Sequence, residues 1–113
     1  MRRENLTDVT TEAFDESMNI NVRSAMTLTQ LAVQHLEPSS LKAVVNVSSI
    51  AGMRAYPGAL TYKMSKAAMD QMTKCTAIEL APKGIRQAFL SLNVLCFDNI
   101  FLITKEPQMI NLK

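Results

Sequence analysis

Three residues within the segment NVSSIAGMRAYPGALTYKMSK (46–66) could together carry acid–base chemistry: Ser49, Tyr62 and Lys66. Tyr62 and Lys66 are four positions apart, so on a helix their side chains lie on one face and within reach of each other. A free phenol has a pKa of about 10, and a nearby ammonium group lowers that pKa because it favours the charged phenolate. A tyrosine in this setting can give and take a proton near neutral pH, as general acid–base catalysis requires.

Ser49 stands where a short apolar run ends and a loop begins. In open α/β sheets, ligand crevices form outside the carboxyl ends of the strands. A hydroxyl there can donate to a substrate carbonyl oxygen, while the tyrosine delivers the proton. The lysine can tune the tyrosine and donate hydrogen bonds to ribose hydroxyls. The set therefore indicates an oxidoreductase site whose hydride comes from a cofactor, because no side chain supplies one.

The same residues also have a plainer interpretation. Tyr62 can be an aromatic residue at a helix start, Lys66 a solvated lysine, and the serine pair ordinary loop residues. The order of buried strand, serine pair, glycine-containing loop, tyrosine and lysine favours the catalytic interpretation. Tyr56 is excluded as the acid–base residue, because Leu60 stands where its lysine would have to be.

The elements that must position this set follow from the spacing of apolar residues. Apolar residues recur every three or four positions from about Thr11 to Leu36, which predicts a helix capped by Thr10 or Thr11. The nearly continuous apolar run at 43–47 predicts a strand buried on both faces, and 48–59 predicts a loop with two glycines and a proline.

A second helix is predicted from about Leu60 to Ala81, ending at Pro82-Lys83-Gly84. Its wide apolar stripe predicts burial on more than one side. The stripe consists of Met64, Ala68, Met72, Cys75 and Ile78. The order of helix, strand and helix, followed by a new apolar run, is typical of an α/β fold.

Length and composition exclude several classes of protein. A chain of 113 residues predicts one domain. With a net charge of +2 and Arg2-Arg3 as its only adjacent basic pair, the chain has no concentrated basic face, so we expect no nucleic-acid partner. The two cysteines and the single histidine have no zinc spacing, so we expect no metal site.

Two free thiols favour a reducing compartment. With neither an apolar leader nor an apolar span of about 20 residues, we expect a cytoplasmic protein without a membrane partner.

These segments resemble the classical short-chain dehydrogenase/reductase family. VVNVSSIAG resembles the family's strand and catalytic serine, and YKMSKAA resembles its tyrosine-x-x-x-lysine helix. The gap of 13 between Ser49 and Tyr62 also matches. FDESMNINVRSAMTLTQ resembles the helix that carries the family's active-site asparagine, and the match falls on Asn21. The resemblance covers about residues 5 to 86 and is nearest in kind to 3-oxoacyl-acyl-carrier-protein-reductase-like proteins.

The resemblance implies a role for each residue. Asn21 would help to hold a water molecule in a proton relay, and Ser49 would orient the substrate carbonyl. Tyr62 would be the general acid–base, and Lys66 would favour its phenolate and bind the nicotinamide ribose together with it. The implied fold is a Rossmann-like doubly wound parallel sheet, of which this chain would hold the central-to-late part. The implied cofactor is NAD(P)(H), the substrate a small carbonyl or alcohol, and the assembly a homo-oligomer formed through helices.

The chain departs from the family pattern at both ends. The N-terminal glycine-rich βαβ part, whose turn brings the cofactor pyrophosphate to a helix N-terminus, is missing. The three glycines present are not so arranged: Gly52, Gly58 and Gly84. After Arg86, QAFLSLNVLC matches none of the family pattern, although its apolar residues favour strand. We therefore expect a partial domain with the active-site half over 1–86 and a divergent tail over 87–113.

Three interpretations stay open. The chain is an NAD(P)-dependent oxidoreductase, a catalytically inactive fragment that keeps a helix-mediated interaction surface, or a product of a gene model or splicing event without a stable fold. The missing glycine-rich turn predicts poor cofactor binding by this chain. Open sheet edges and uncovered apolar faces predict association.

Overall fold

The chain folds into one long helix followed by a β–α–β unit. The computed structural model describes residues 4–92. The elements are α1 (Thr11–Met18), a π-helical segment (Asn19–Arg23), α2 (Ser24–Leu36), β1 (Ala43–Ser49), α3 (Leu60–Leu80) and β2 (Arg86–Leu92). Single 3-10 turns follow β1 (Ile50–Gly52) and α3 (Ala81–Lys83).

The first helix spans the predicted residues 11–36, but its middle turn is π-helical. Thr10 is the N-cap, as one of the two predicted caps, and its hydroxyl oxygen accepts a 3.2 Å hydrogen bond from the Ala13 backbone N–H. Asn21 lies at the centre of the π-helical segment. Single π-helical turns inside α-helices occur frequently at functional sites.

The two strands are parallel neighbours, with Ala43 opposite Arg86 at one end and Ser49 opposite Leu92 at the other. Because parallel strands cannot be joined by a tight turn, α3 forms the crossover between them. The predicted strand is confirmed, but its burial on both faces is wrong for the described residues. Val45 and Val47 are exposed, because no described element covers that face of the sheet.

The buried face of α3 is mainly polar. It consists of Thr61, Ser65, Lys66, Met69, Asp70, Thr73 and Leu80. The predicted apolar stripe lies on another side, where Met64 is 45% and Ile78 is 50% exposed. Burial of α3 on more than one side is therefore wrong for the described residues. Small polar side chains suit a helix that lies very close to β1 and its following turn, whereas bulky apolar ones would hold it away.

The chain enters β2 through a left-handed glycine and a buried isoleucine. Gly84 has φ 72°, a conformation that favours glycine, and Ile85 is the most buried large apolar residue described. The strand preference expected after Gln87 is confirmed for 87–92. The boundary between a partial domain over 1–86 and a divergent tail over 87–113 stays a prediction, and β2 runs across it. Residues 93–113 of this tail lie outside the described residues. None of the helices found in 4–92 has the length and apolar character needed to cross a membrane.

Gly52→Ala should destabilise the fold because the turn after β1 touches the backbone of α3. A Cβ atom at Gly52 would lie 2.8 Å from Asp70 Oδ2, 2.9 Å from the Lys66 carbonyl carbon and 3.0 Å from Ala67 N. We expect a loss of about 2 kcal/mol in the free energy of unfolding, measured by denaturant titration.

Gly84→Ala is the matched control. Its Cβ would meet only Lys42 Cδ, at 3.7 Å, so it incurs only the left-handed backbone cost of about 1 kcal/mol. A Gly52→Ala loss no larger than the Gly84→Ala loss would contradict the close contact between this turn and α3.

Candidate active site

Ser49 is the last residue of β1 and the N-cap of the turn that follows. Its Oγ accepts a 3.2 Å hydrogen bond from the Ala51 backbone N–H. This contact uses the oxygen as an acceptor, so the hydroxyl hydrogen is free to donate. Among the described residues no acceptor takes that hydrogen. Ser49 therefore has a hydroxyl hydrogen available at the carboxyl end of a parallel strand, and its role in orienting a carbonyl stays a prediction.

Tyr62 and Lys66 lie on the first two turns of α3 and face each other. Lys66 Nζ is 5.6 Å from the centre of the Tyr62 ring. The Lys66 side chain is only 9% exposed, and its ammonium group donates a 3.0 Å hydrogen bond to the Val47 carbonyl oxygen of β1. An ammonium group has three N–H donors, so two have no partner among residues 4–92 and could serve a ligand. Burial of a charge is costly unless it is hydrogen-bonded, which makes the Val47 carbonyl an essential partner.

Asn21 reaches the same helix from the π-helical segment. Its Nδ2 group donates a 2.8 Å hydrogen bond to Ser65 Oγ, and the Ser65 hydroxyl donates a 2.8 Å hydrogen bond to the Tyr62 carbonyl oxygen. The side chain of Asn21 is thus connected to the backbone of the candidate acid–base residue. Its amide nitrogen donates to Ser65. No hydrogen bond among the described residues joins Asn21 to Lys66, so the water relay behind Lys66 stays a prediction.

The structure brings the four predicted residues to one region, where the end of β1, the start of α3 and the π-helical segment meet. They do not form a single hydrogen-bonded set. Among residues 4–92, no hydrogen bond joins Ser49 to Tyr62 or to Lys66. Three elements therefore surround the region: the end of β1, the start of α3 and the π-helical segment. A substrate oxygen would have to connect Ser49 with Tyr62.

A second tyrosine–lysine pair lies nearby, and its sequence spacing did not indicate it. Lys63 Nζ is 3.7 Å from the centre of the Tyr56 ring, and the same ammonium group donates to the carbonyl oxygens of Tyr56 and Gly58. The three contacts fasten the loop before α3 to the helix. Because this ammonium group is occupied by backbone carbonyls, the pair is best explained as a loop anchor.

Behind Lys66, the inner face of the sheet carries buried polar groups without partners. Ser48 Oγ, Ser91 Oγ and both carboxylate oxygens of Asp70 are buried and unpaired within the described residues. Burial raises the pKa of the Asp70 carboxyl. The nearby Ser48 hydroxyl and the positive charges of Lys74 and Lys66 lower this pKa and offset part of the effect of burial. Ser48 lies near the carboxylate without forming a hydrogen bond to it.

Sequence reasoning missed two residues of this region, Ser65 and Asp70. Ser65 is three positions after Tyr62 and Asp70 is four after Lys66, so helical spacing alone places each beside a predicted site residue. That signal was available but weak, since serine and aspartate on a helix are commonly solvent-facing. Within 4–92 no three histidine, cysteine, aspartate or glutamate side chains are grouped as metal ligands.

Comparison with known proteins assigns this arrangement to a family. The sequence model described as enoyl-(acyl carrier protein) reductase matches residues 1–96. Dehydrogenase/reductase SDR family member 4 of Homo sapiens is 37% identical over 103 residues, 89% of this chain and 37% of the relative. Carbonyl reductase [NADPH] 2 of Sus scrofa is 34% identical over 103 residues, 90% of this chain and 42% of the relative.

Solved structures agree with this assignment. The structure described as ElxO with NADP bound superposes with a TM-score of 0.76 at 30% identity, covering 82% of this chain and 38% of that one. The chain belongs to the classical short-chain dehydrogenase/reductase family and has the α/β architecture of its Rossmann-like fold. It spans about two fifths of the length of the relatives it matches.

Asp70→Asn should change how stability depends on pH. The folded state raises the pKa of the Asp70 carboxyl, so protonation of this group stabilises the fold. This stabilisation is complete below the ordinary pKa of about 4 and is lost as pH rises through the folded pKa. We expect the variant to melt up to about 5 °C above the parent at neutral pH and to match it near pH 3. Thermal melts followed by circular dichroism across this pH range measure the difference.

Glu79→Gln removes an exposed carboxylate of the same helix and serves as the control, with a much smaller change expected. If the difference in melting temperature between the parent and the Asp70→Asn variant is the same at every pH, the claim that burial raises the pKa of Asp70 is wrong.

Proposed function

We propose that this chain supplies the acid–base part of a nicotinamide-dependent oxidoreductase that interconverts a carbonyl and an alcohol. One observation supports this most strongly: the buried Lys66 ammonium is fixed on the Val47 carbonyl, with its nitrogen 5.6 Å from the Tyr62 ring. The family assignment supports it too, and a relative 34% identical to this chain bears the name carbonyl reductase [NADPH] 2.

In the proposed reaction, Tyr62 is the general acid for reduction and the general base for oxidation. The phenol gives its proton to the carbonyl oxygen as the alcohol forms, and takes it back in the reverse direction. Ser49 donates its free hydroxyl hydrogen to the same oxygen, which fixes the carbonyl beside Tyr62. Lys66 stabilises the charge left on the phenolate, since an ammonium group nearby favours the ionised form.

The residues present fit one end of an NAD(P)(H) cofactor and not the other. When bound, this cofactor would supply the hydride. The two free N–H donors of Lys66 and the Tyr62 hydroxyl suit ribose hydroxyls. The pyrophosphate end needs a glycine-rich turn, but Gly52 packs against α3 and Gly84 ends a 3-10 turn. We therefore assign ribose contacts to this chain and no pyrophosphate site to its described residues.

Tyr62→Phe should abolish the activity while leaving the fold in place. Loss of the phenol oxygen removes the general acid, which typically contributes at least about 100-fold in rate. The assay follows NAD(P)H oxidation by the complete gene product with a panel of small ketones and aldehydes.

Tyr56→Phe is the matched control, since the Lys63 ammonium would still bond the loop carbonyls and the rate should remain within about twofold of the parent. A Tyr62→Phe enzyme as active as the Tyr56→Phe enzyme would eliminate Tyr62 as the acid–base residue.

A second candidate function is an inactive fragment that associates through its helices. Apolar side chains of α2 and α3 are exposed, including Met26, Leu31, Met64 and Ile78. β1 also has a free edge within the described part of the chain, since its only strand partner there is β2. Open edges and exposed apolar surface favour pairing with another chain. For this function we expect a homo-oligomer without measurable hydride transfer. The intact mass and N-terminus of the endogenous protein would separate the two candidates.

Ile78→Glu should weaken association of the chain by about tenfold or more, because burying one isoleucine side chain contributes roughly 2 kcal/mol. Sedimentation velocity over a concentration series measures the dissociation constant. Glu79→Lys changes charge at the adjacent exposed residue and should leave association within about threefold. A chain that is monomeric at every concentration, or an unaffected Ile78→Glu variant, would exclude this interface.

A further inference from the structure

The start of α3 has no capping side chain. Ala59, the N-cap residue, has φ 54° and ψ 44° and provides no side-chain hydrogen bond to the first turn. Alanine in this left-handed conformation is strained by about 1–2 kcal/mol. The direction of the first turns of α3 therefore depends on hydrogen bonds to the preceding loop, to Glu4 and to the first helix.

Two hydrogen bonds from the first helix hold these turns. The Ser17 hydroxyl donates to Thr61 Oγ1 at 3.2 Å, and Asn21 Nδ2 donates to Ser65 Oγ at 2.8 Å. The donors are four residues apart and so are the acceptors, so the two bonds form adjacent bridges between the same helices. The second bridge alone continues to Tyr62, through the 2.8 Å bond from the Ser65 hydroxyl to the Tyr62 carbonyl oxygen.

Ser65 has no exposed surface at all, with 0% of its side chain accessible. Its oxygen accepts from Asn21 and its single O–H donates to Tyr62, so the hydrogen is fully used. Because water cannot reach this position, nothing can replace the hydroxyl when it is removed. Removal would leave the Asn21 amide without its partner, which is more costly than loss of a solvent-exposed bond.

We infer that Ser65 is a positioning residue for Tyr62, connecting the π-helical segment through Asn21 to the backbone of the acid–base residue. Its hydroxyl fixes the turn on which the phenol is carried and contacts neither substrate nor cofactor. The inference rests on the proposed function for its effect on rate. Small displacements of a catalytic group lower the rate strongly, since reaction requires near-attack geometry.

The catalytic test uses Ser65→Ala in the complete gene product. We expect kcat to fall by about tenfold, from the loss of two hydrogen bonds, with KM changed by less than about twofold because the residue does not touch substrate. Asn21→Ala should lower kcat similarly. The double variant should be little worse than Ser65→Ala alone, because Asn21 is connected to Tyr62 only through Ser65 among the described residues.

Ser17→Ala is the matched control. It breaks the neighbouring bridge between the same two helices but not the connection to the Tyr62 carbonyl, so kcat should stay within about twofold of the parent. If Ser17→Ala lowers kcat as much as Ser65→Ala, the role of Ser65 is only to hold the helices together and the inference is wrong. Additive losses in Asn21→Ala and Ser65→Ala would also refute it.

A spectroscopic readout separates this inference from the proposed function. The 113-residue chain has two tyrosines and no tryptophan, so in this chain with Tyr56→Phe the tyrosine band of the near-ultraviolet circular dichroism reports Tyr62. Adding Ser65→Ala should reduce the tyrosine signal by about half, since a less fixed ring gives a weaker band, whereas Ser17→Ala should not. A reduced signal with activity retained in Tyr62→Phe would support the positioning and reject the proposed chemistry. An unchanged signal would overturn the inference even if Tyr62 proves catalytic.

Discussion

The hydrogen bond from Lys66 to the Val47 carbonyl is the interaction on which the rest of the site depends. It connects α3 to β1 through a buried ammonium group, 3.0 Å from the carbonyl oxygen. A buried charge without such a partner would be unstable in the fold. With it, the lysine is held against the strand end and beside Tyr62, and two of its donors have no partner in the described part of the chain. The same bond therefore fixes strand and helix relative to each other and holds the ammonium group 5.6 Å from the ring centre of the candidate acid–base residue.

This bond requires α3 to lie close to the strand and its following turn, which explains the unusual interior. Gly52 is in contact with the α3 backbone, and the buried face of the helix consists mainly of small or polar side chains. Apart from the buried Met69 and Leu80, bulky apolar residues of α3 are on the outer side, where Met64 and Ile78 are exposed. A helix arranged to serve a site on its inner face thus presents an apolar outer face, and this supports the proposal that the chain associates.

Much of the architecture was predictable from local patterns, whereas the contacts between elements were not. Helical spacing and the Thr10 cap gave the extent of the first helix, and a β-branched run gave β1. The spacing of Tyr62 and Lys66 predicted their proximity, because helix geometry alone determines it. Burial of β1 on both faces was a wrong prediction, since coverage depends on neighbours that the local sequence does not specify. The π-helical segment and the role of Ser65 depend on a contact between residues 44 positions apart, which no local pattern encodes.

The central claim is that Lys66 is buried and bonded to β1, and lysine reactivity tests it most directly. Brief reductive methylation of the native protein, followed by peptide mass spectrometry, gives a modification rate for each lysine. Lys66 should react at least about tenfold more slowly than the exposed Lys74, because its ammonium must leave the Val47 carbonyl before it can react. The difference should disappear in denaturant. Equal rates for the two lysines in the native protein would contradict the account.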